Sequence, residues 1–199
     1  FIIEIYGCTG PAPIRYGQGE FPLASFGPIT AGGDGILGFT NAFPKPTQPP
    51  NFITAVAHHA HLYDTSEFSK PIMLDSDGDG MPDGYETVYF GGYTNGDPNA
   101  HYDGDMIPNL QEFWADTNPI DGNSYPRIKS ILPSGGNLVI VAPCSRERIY
   151  QLWQCQRLNT NAQQWTMYSV FSPTYSGEDG WFPVTASSGT NFRITSSIP

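Results

Sequence analysis

Residues 75 to 86 read Asp75-Ser76-Asp77-Gly78-Asp79-Gly80-Met81-Pro82-Asp83-Gly84-Tyr85-Glu86. Carboxylates at the first, third and fifth positions point inward when a loop wraps around a central ion. Gly80 suits the sharp turn at the sixth position, the Met81 carbonyl faces inward at the seventh, Asp83 stands at the ninth, and Glu86 at the twelfth can bind through both oxygens. That density of hard oxygen donors, with no sulfur or imidazole among them, matches a calcium ion and its preference for six to eight oxygens. The first-loop ligand set is therefore Asp75, Asp77, Asp79, Met81, Asp83 and Glu86.

A second copy lies 26 positions further on, with Asp103, Asp105, Ile107, Asn109 and Glu112 at the matching places. His101 replaces the first aspartate and Met106 replaces the turn glycine. Imidazole is a poor ligand for calcium, and methionine at a positive-φ turn costs about 1 kcal/mol. Asp97 or Asn99 could supply the missing oxygen from upstream. Alternatively, Asp103 and Asp105 complete a site shared with the first loop.

The charge distribution agrees with a cation. The 199 residues carry a formal charge of -10, and the stretch from Pro71 to Pro126 contains 11 carboxylates and no Lys or Arg. The rest of the chain nets +1. Such a block repels itself unless a positive species neutralises it. This balance excludes a basic nucleic-acid surface, and no apolar run is long enough for a membrane span. Few charged residues, with many aromatic, Gly and Pro residues, point to extended structure with long loops.

The elements that must hold these loops fall into three regions. Residues 1–70 read as irregular β-structure, with strand character at Phe1–Tyr6, Ile14–Gly17 and Phe52–Ala57, a turn at 31–35 before Ile36–Phe39, and a stiff proline-rich connector from Pro44 to Pro50. Residues 71–125 are the loop pair, each loop running into a short helix (82–89 and 108–115) whose apolar faces could pack together. Residues 126–199 contain six short strand candidates, which argues a small antiparallel β-sandwich. The expected fold is mostly β, with the calcium-binding loop-helix pair between an N-terminal β region and a C-terminal sandwich.

The run Asp103-Gly104-Asp105 to Asn109-Leu110-Gln111-Glu112-Phe113, followed by Asp116-Thr117-Asn118-Pro119, resembles the thrombospondin type 3 and dockerin-like repeats (EF-hand-type loops) of secreted bacterial proteins. Asn137–Val141, Tyr150–Leu152, Trp165 and Asn191–Ile194 are similar to the fibronectin type III-like sandwich that often trails such repeats. The resemblance implies calcium-stiffened spacers of surface proteins, without catalysis. It covers about 125 residues and leaves residues 1–70 aside.

Other candidates carry less. His58, His59 and His61 lack a carboxylate or cysteine ligand set and read as polar residues at a strand edge. No nucleophile elbow, zinc-protease helix or phosphate loop occurs. Cys8, Cys144 and Cys155 allow one disulfide and one spare thiol, or a bond between chains. Trp153, Trp165 and Trp181 are the best rings for stacking on a sugar. The chain opens at Phe1 with no initiator Met or signal peptide, which fits a processed chain or a fragment.

The expectation is an extracellular or cell-surface structural protein, not an enzyme, that associates with copies of itself into a fibre or filament. Phe1, Ile2, Ile3, Ile5 and Tyr6 would form a donor strand inserted into a neighbouring subunit by an open, heterologous contact. The alternative is a carbohydrate-binding or adhesive module of a larger secreted protein.

Overall fold

A computed structural model describes residues 1–9, 19–34, 36, 38, 40–59, 61, 64–145, 148–155, 165–172, 179–184 and 191–197. The fold is mostly β: the described residues form ten strands in three antiparallel sheets, with two short helices. The strand expected at Ile14–Gly17 lies outside the described residues, as do parts of Ile36–Phe39. By contact the chain divides into two compact units, Phe1–Pro98 and Asn99–Pro199. The boundary falls between the two acidic loops. Each loop folds with the sheet structure nearest to it in sequence.

In the first unit, β1 (Ile2–Cys8), β2 (Phe21–Phe26), β3 (Phe52–His58) and β4 (Ile72–Met73) form one sheet in the order β2-β1-β3-β4. Alternation along Phe52, Thr54 and Val56 buries one face of β3. Pro22 is tolerated because β2 is an edge strand. The helix α1 (Asp83–Phe90) follows the first loop. It approaches the 49–51 segment so closely that a Cβ on Gly84 would sit 2.5 Å from the Pro49 carbonyl oxygen.

The donor-strand expectation meets a different arrangement. β1 occupies the middle of its own sheet, with Ile3 opposite Phe26 on one side and Ala57 on the other. Both of its edges are laddered, so the unpaired edge that motivated export to a neighbour is covered within the chain.

The second unit begins with its loop and α2 (Asn109–Ala115), followed by two three-stranded sheets. One sheet has the order β5-β6-β9, from β5 (Ser130–Ser134), β6 (Asn137–Pro143) and β9 (Asp179–Val184). The other has the order β10-β7-β8, from β7 (Ile149–Cys155), β8 (Thr166–Phe171) and β10 (Asn191–Ser197). Gly135 and Gly136 turn β5 into β6 with positive φ at both positions, the requirement of a two-residue hairpin turn. Ile140, Ala142, Tyr150, Leu152, Phe182 and Val184 form the core between the sheets. Phe171 and Phe182 meet edge to face at 5.3 Å.

All three cysteines are buried and none is in a disulfide, so the bridge allowed by the sequence is not formed. Burial pushes the Cys8 and Cys144 thiols up to about 11. Among the described residues no helix is long and apolar enough to cross a membrane.

Candidate metal centres

The two loops share one backbone skeleton, repeated at 26 residues. Pro82 and Pro108 sit extended at the helix starts, with φ of -78° and -63°. Asp83 N–H donates to the Leu74 carbonyl at 2.8 Å, and Asn109 N–H donates to the Ala100 carbonyl at 2.9 Å. The Met81 N–H donates to Asp79 Oδ1 at 2.8 Å, as the Ile107 N–H does to Asp105 Oδ1 at 2.7 Å. Gly78 and Gly104 both have positive φ, 77° and 84°, as do Gly80 at 97° and Met106 at 73°. Met106 therefore adopts the left-handed turn conformation that favours glycine, with its side chain 76% exposed.

Each loop draws carboxylates together. Asp75, Asp77 and Asp79 place one oxygen each within 4.8 Å of one another, and so do Asp103, Asp105 and Glu112. The second loop thus assembles its own group. In the first loop Asp75 accepts the Gly78 N–H at 2.8 Å and the Gly80 N–H at 3.0 Å, which fastens the turn. His101, its counterpart, is exposed, and there Asp103 Oδ1 accepts the Asp105 N–H at 3.1 Å.

The closing glutamates carry the strongest signal. Glu86 and Glu112 have 0% relative exposure. One oxygen of each is hydrogen-bonded: Glu86 Oε1 accepts the Gly96 N–H at 2.9 Å, and Glu112 Oε1 accepts the Thr117 hydroxyl at 3.2 Å. The other oxygen of each is buried without a hydrogen-bond partner, as are Asp79 Oδ2, Asp103 Oδ2 and Asp105 Oδ2. A buried acceptor left unpaired costs about 1–3 kcal/mol, more when charged. Burial first, then the facing aspartates, push both glutamates up to about 7; the Gly96 and Thr117 donors act against this. Burial likewise raises the Asp79 carboxyl. Each site penalises negative charge that a divalent cation would stabilise, and the donors are all oxygen. The residues fit calcium.

Several expected ligands have other surroundings. Asp83 has both oxygens engaged: Oδ1 by the Ser76 N–H at 2.7 Å, Oδ2 by the Ser76 hydroxyl at 2.8 Å and by Lys45 Nζ at 2.6 Å. It ties the loop closed. Asp97, considered for the second loop, lies close enough to Asp79 to raise that carboxyl. Asn99 is exposed at the start of the second unit, and Asn109 is fully buried.

Compared with protein-family models, curated proteins and solved structures, the chain matches none of them.

Two bracing cations escape the sequence reading because their partners are distant in the chain. Lys45, from the proline-rich connector, reaches Asp83 and Ser76 while lying 3.2 Å from the Tyr93 ring centroid. In the second unit buried Arg148 donates to the Phe113 and Trp114 carbonyls at 2.5 and 3.0 Å and pairs with Asp116 at 3.5 Å. A cation is favourable at that helix C-terminus. Asp116 also accepts the Ser145 hydroxyl.

Outside the loops, His58 Nδ1 lies 3.8 Å from Glu4, and the His59 ring packs against Phe1 and His61. Trp153 and Trp165 flank Arg193, with centroids at 5.3 and 4.6 Å. Trp181 remains 61% exposed.

Proposed function

We propose that this chain is a calcium-stabilised structural module of an extracellular protein, with one ion in each acidic loop and no catalytic role. The observation that carries the reading is the pair of fully buried glutamates, Glu86 and Glu112, each with an unpartnered oxygen in a group of aspartates. A bound ion would join loop to helix in each unit. The motif's likeness to the calcium repeats of secreted bacterial proteins supports the same role and location.

Self-association into a fibre belongs to this reading, but β1 is a poor route to it. Donation of β1 to another copy would exchange two complete ladders for new ones. The carbohydrate-binding alternative is weakened because two of its three rings are stacked on Arg193.

Titration calorimetry with calcium, paired with thermal melting in calcium and in chelator, tests the reading. Two binding events and a lower melting temperature after chelation are expected. An unchanged melting curve with no heat of binding would sink it.

A further inference from the structure

Among the described strands, β10 is an edge strand, paired with β7 along one side; α2 also packs against it, and Ser196 Oγ donates to the Trp114 carbonyl at 3.0 Å. An edge presents a row of backbone donors and acceptors that pairs readily with another extended chain. The inward residues of this one, Phe192 and Ile194, pack against the sandwich core and are only partly buried. They line a cavity of about 570 Å³ together with Ser196 and with Cys144, just past β6. The same cavity takes in Arg127 and Arg193. Arg193 is held between Trp153 and Trp165, and Arg127 lies over Tyr125. Neither arginine is ion-paired among the described residues, whereas Asp116, also in the lining, is taken by Arg148 and Ser145. The cavity is therefore apolar along the strand and cationic in its free charge.

We propose that β10 receives an extended partner segment as an additional strand, with alternate apolar side chains in the cavity and acidic side chains against Arg127 and Arg193. Main-chain pairing supplies affinity in this mode of recognition, and the pockets for alternate side chains supply selectivity. A free small acid would engage the arginines without using the strand edge, which carries no second strand among the described residues, so the edge favours a peptide. The charge sets which peptide: opposite charges across an interface attract, and like charges in register repel. This inference concerns the second unit alone and stands whether or not the loops bind calcium.

The test is amide hydrogen exchange followed by NMR on the full chain in calcium. The probe is a synthetic seven-residue peptide alternating isoleucine with glutamate, matched in length to the seven residues of β10. At saturation, exchange at β10 amides should slow about tenfold, while a serine-for-isoleucine peptide gives no protection. A lysine-for-glutamate peptide should bind about tenfold more weakly, and Arg193→Glu or Arg127→Glu should reverse that preference. Absence of protection at β10, equal protection by all three peptides, or protection confined to the Trp181 face would overturn the proposal.

Discussion

The two acidic loops share a backbone and differ in what holds it. In the first, Asp75 clasps two backbone N–H groups, glycine occupies both left-handed positions, and Lys45 anchors Asp83 from outside. In the second, an exposed histidine replaces the clasp, methionine takes one left-handed position, and buried Asn109 stands where Asp83 did. Yet the proline-led helix start, the backbone bond across the loop and the half-partnered buried glutamate recur in both. The skeleton thus depends on the helix start and the closing glutamate more than on the first ligand. The first ligand should set affinity.

The largest expected effect is loss of the ions. If calcium stands at 100 times its dissociation constant, each site adds about 2.7 kcal/mol, against the roughly 5–15 kcal/mol total of a typical domain. Glu86→Gln and Glu112→Gln should each mimic chelation for its own unit, read as loss of one calorimetric event. The Glu86 change should remove the tighter event. Loss of the tighter event with Glu112→Gln would reverse the ranking of the loops.

Next comes the borrowed cation of each unit. Arg148 is 4% exposed, so Arg148→Ala takes one of the donors from each of two helix carbonyls and the ion pair from Asp116, a cost of about 2 kcal/mol. Lys45 is 34% exposed in its side chain, so solvent takes over part of its task, and Lys45→Ala should cost about 1 kcal/mol. Urea melts of the two variants check the order. A larger loss for Lys45→Ala would mean that buried Asp83 depends on its cation more than exposure indicates.

What was legible in the sequence was local. The repeat gave both helices to within a residue or two, because proline, glycine and glutamate each act on their own turn. The sandwich strands were visible as short apolar runs bounded by turn residues, as in Asn137–Pro143, where Ile140 and Ala142 join the core with Phe182 and Tyr150. The short edge strands β2 and β4 were missed: one contains Pro22, and the other has two residues. Pairings between residues far apart in the chain were not legible, since nothing local marks them. Lys45 and Arg148 were invisible for the same reason. Their partners lie 38 and 32 residues away, at Asp83 and Asp116.

The smallest effect tests the comparison most directly, because it rebuilds one loop in the image of the other. Met106 holds φ at 73° where Gly80 holds 97°. Its side chain is largely exposed, so its removal takes away little packing. Met106→Gly should therefore relieve backbone strain worth about 1 kcal/mol and stabilise the second unit. Part of that gain is offset, since glycine also loosens the unfolded chain. His101→Asp should add the clasp that Asp75 supplies in the first loop, and it should raise calcium affinity more than stability without the ion. Combined, the two changes should bring the second calorimetric event toward the first. If Met106→Gly destabilises the protein and His101→Asp leaves affinity unchanged, the differences at these two positions do not account for a weaker second loop. The pairing of Glu112 with Thr117, where Glu86 uses a backbone N–H, would then be the next difference to exchange.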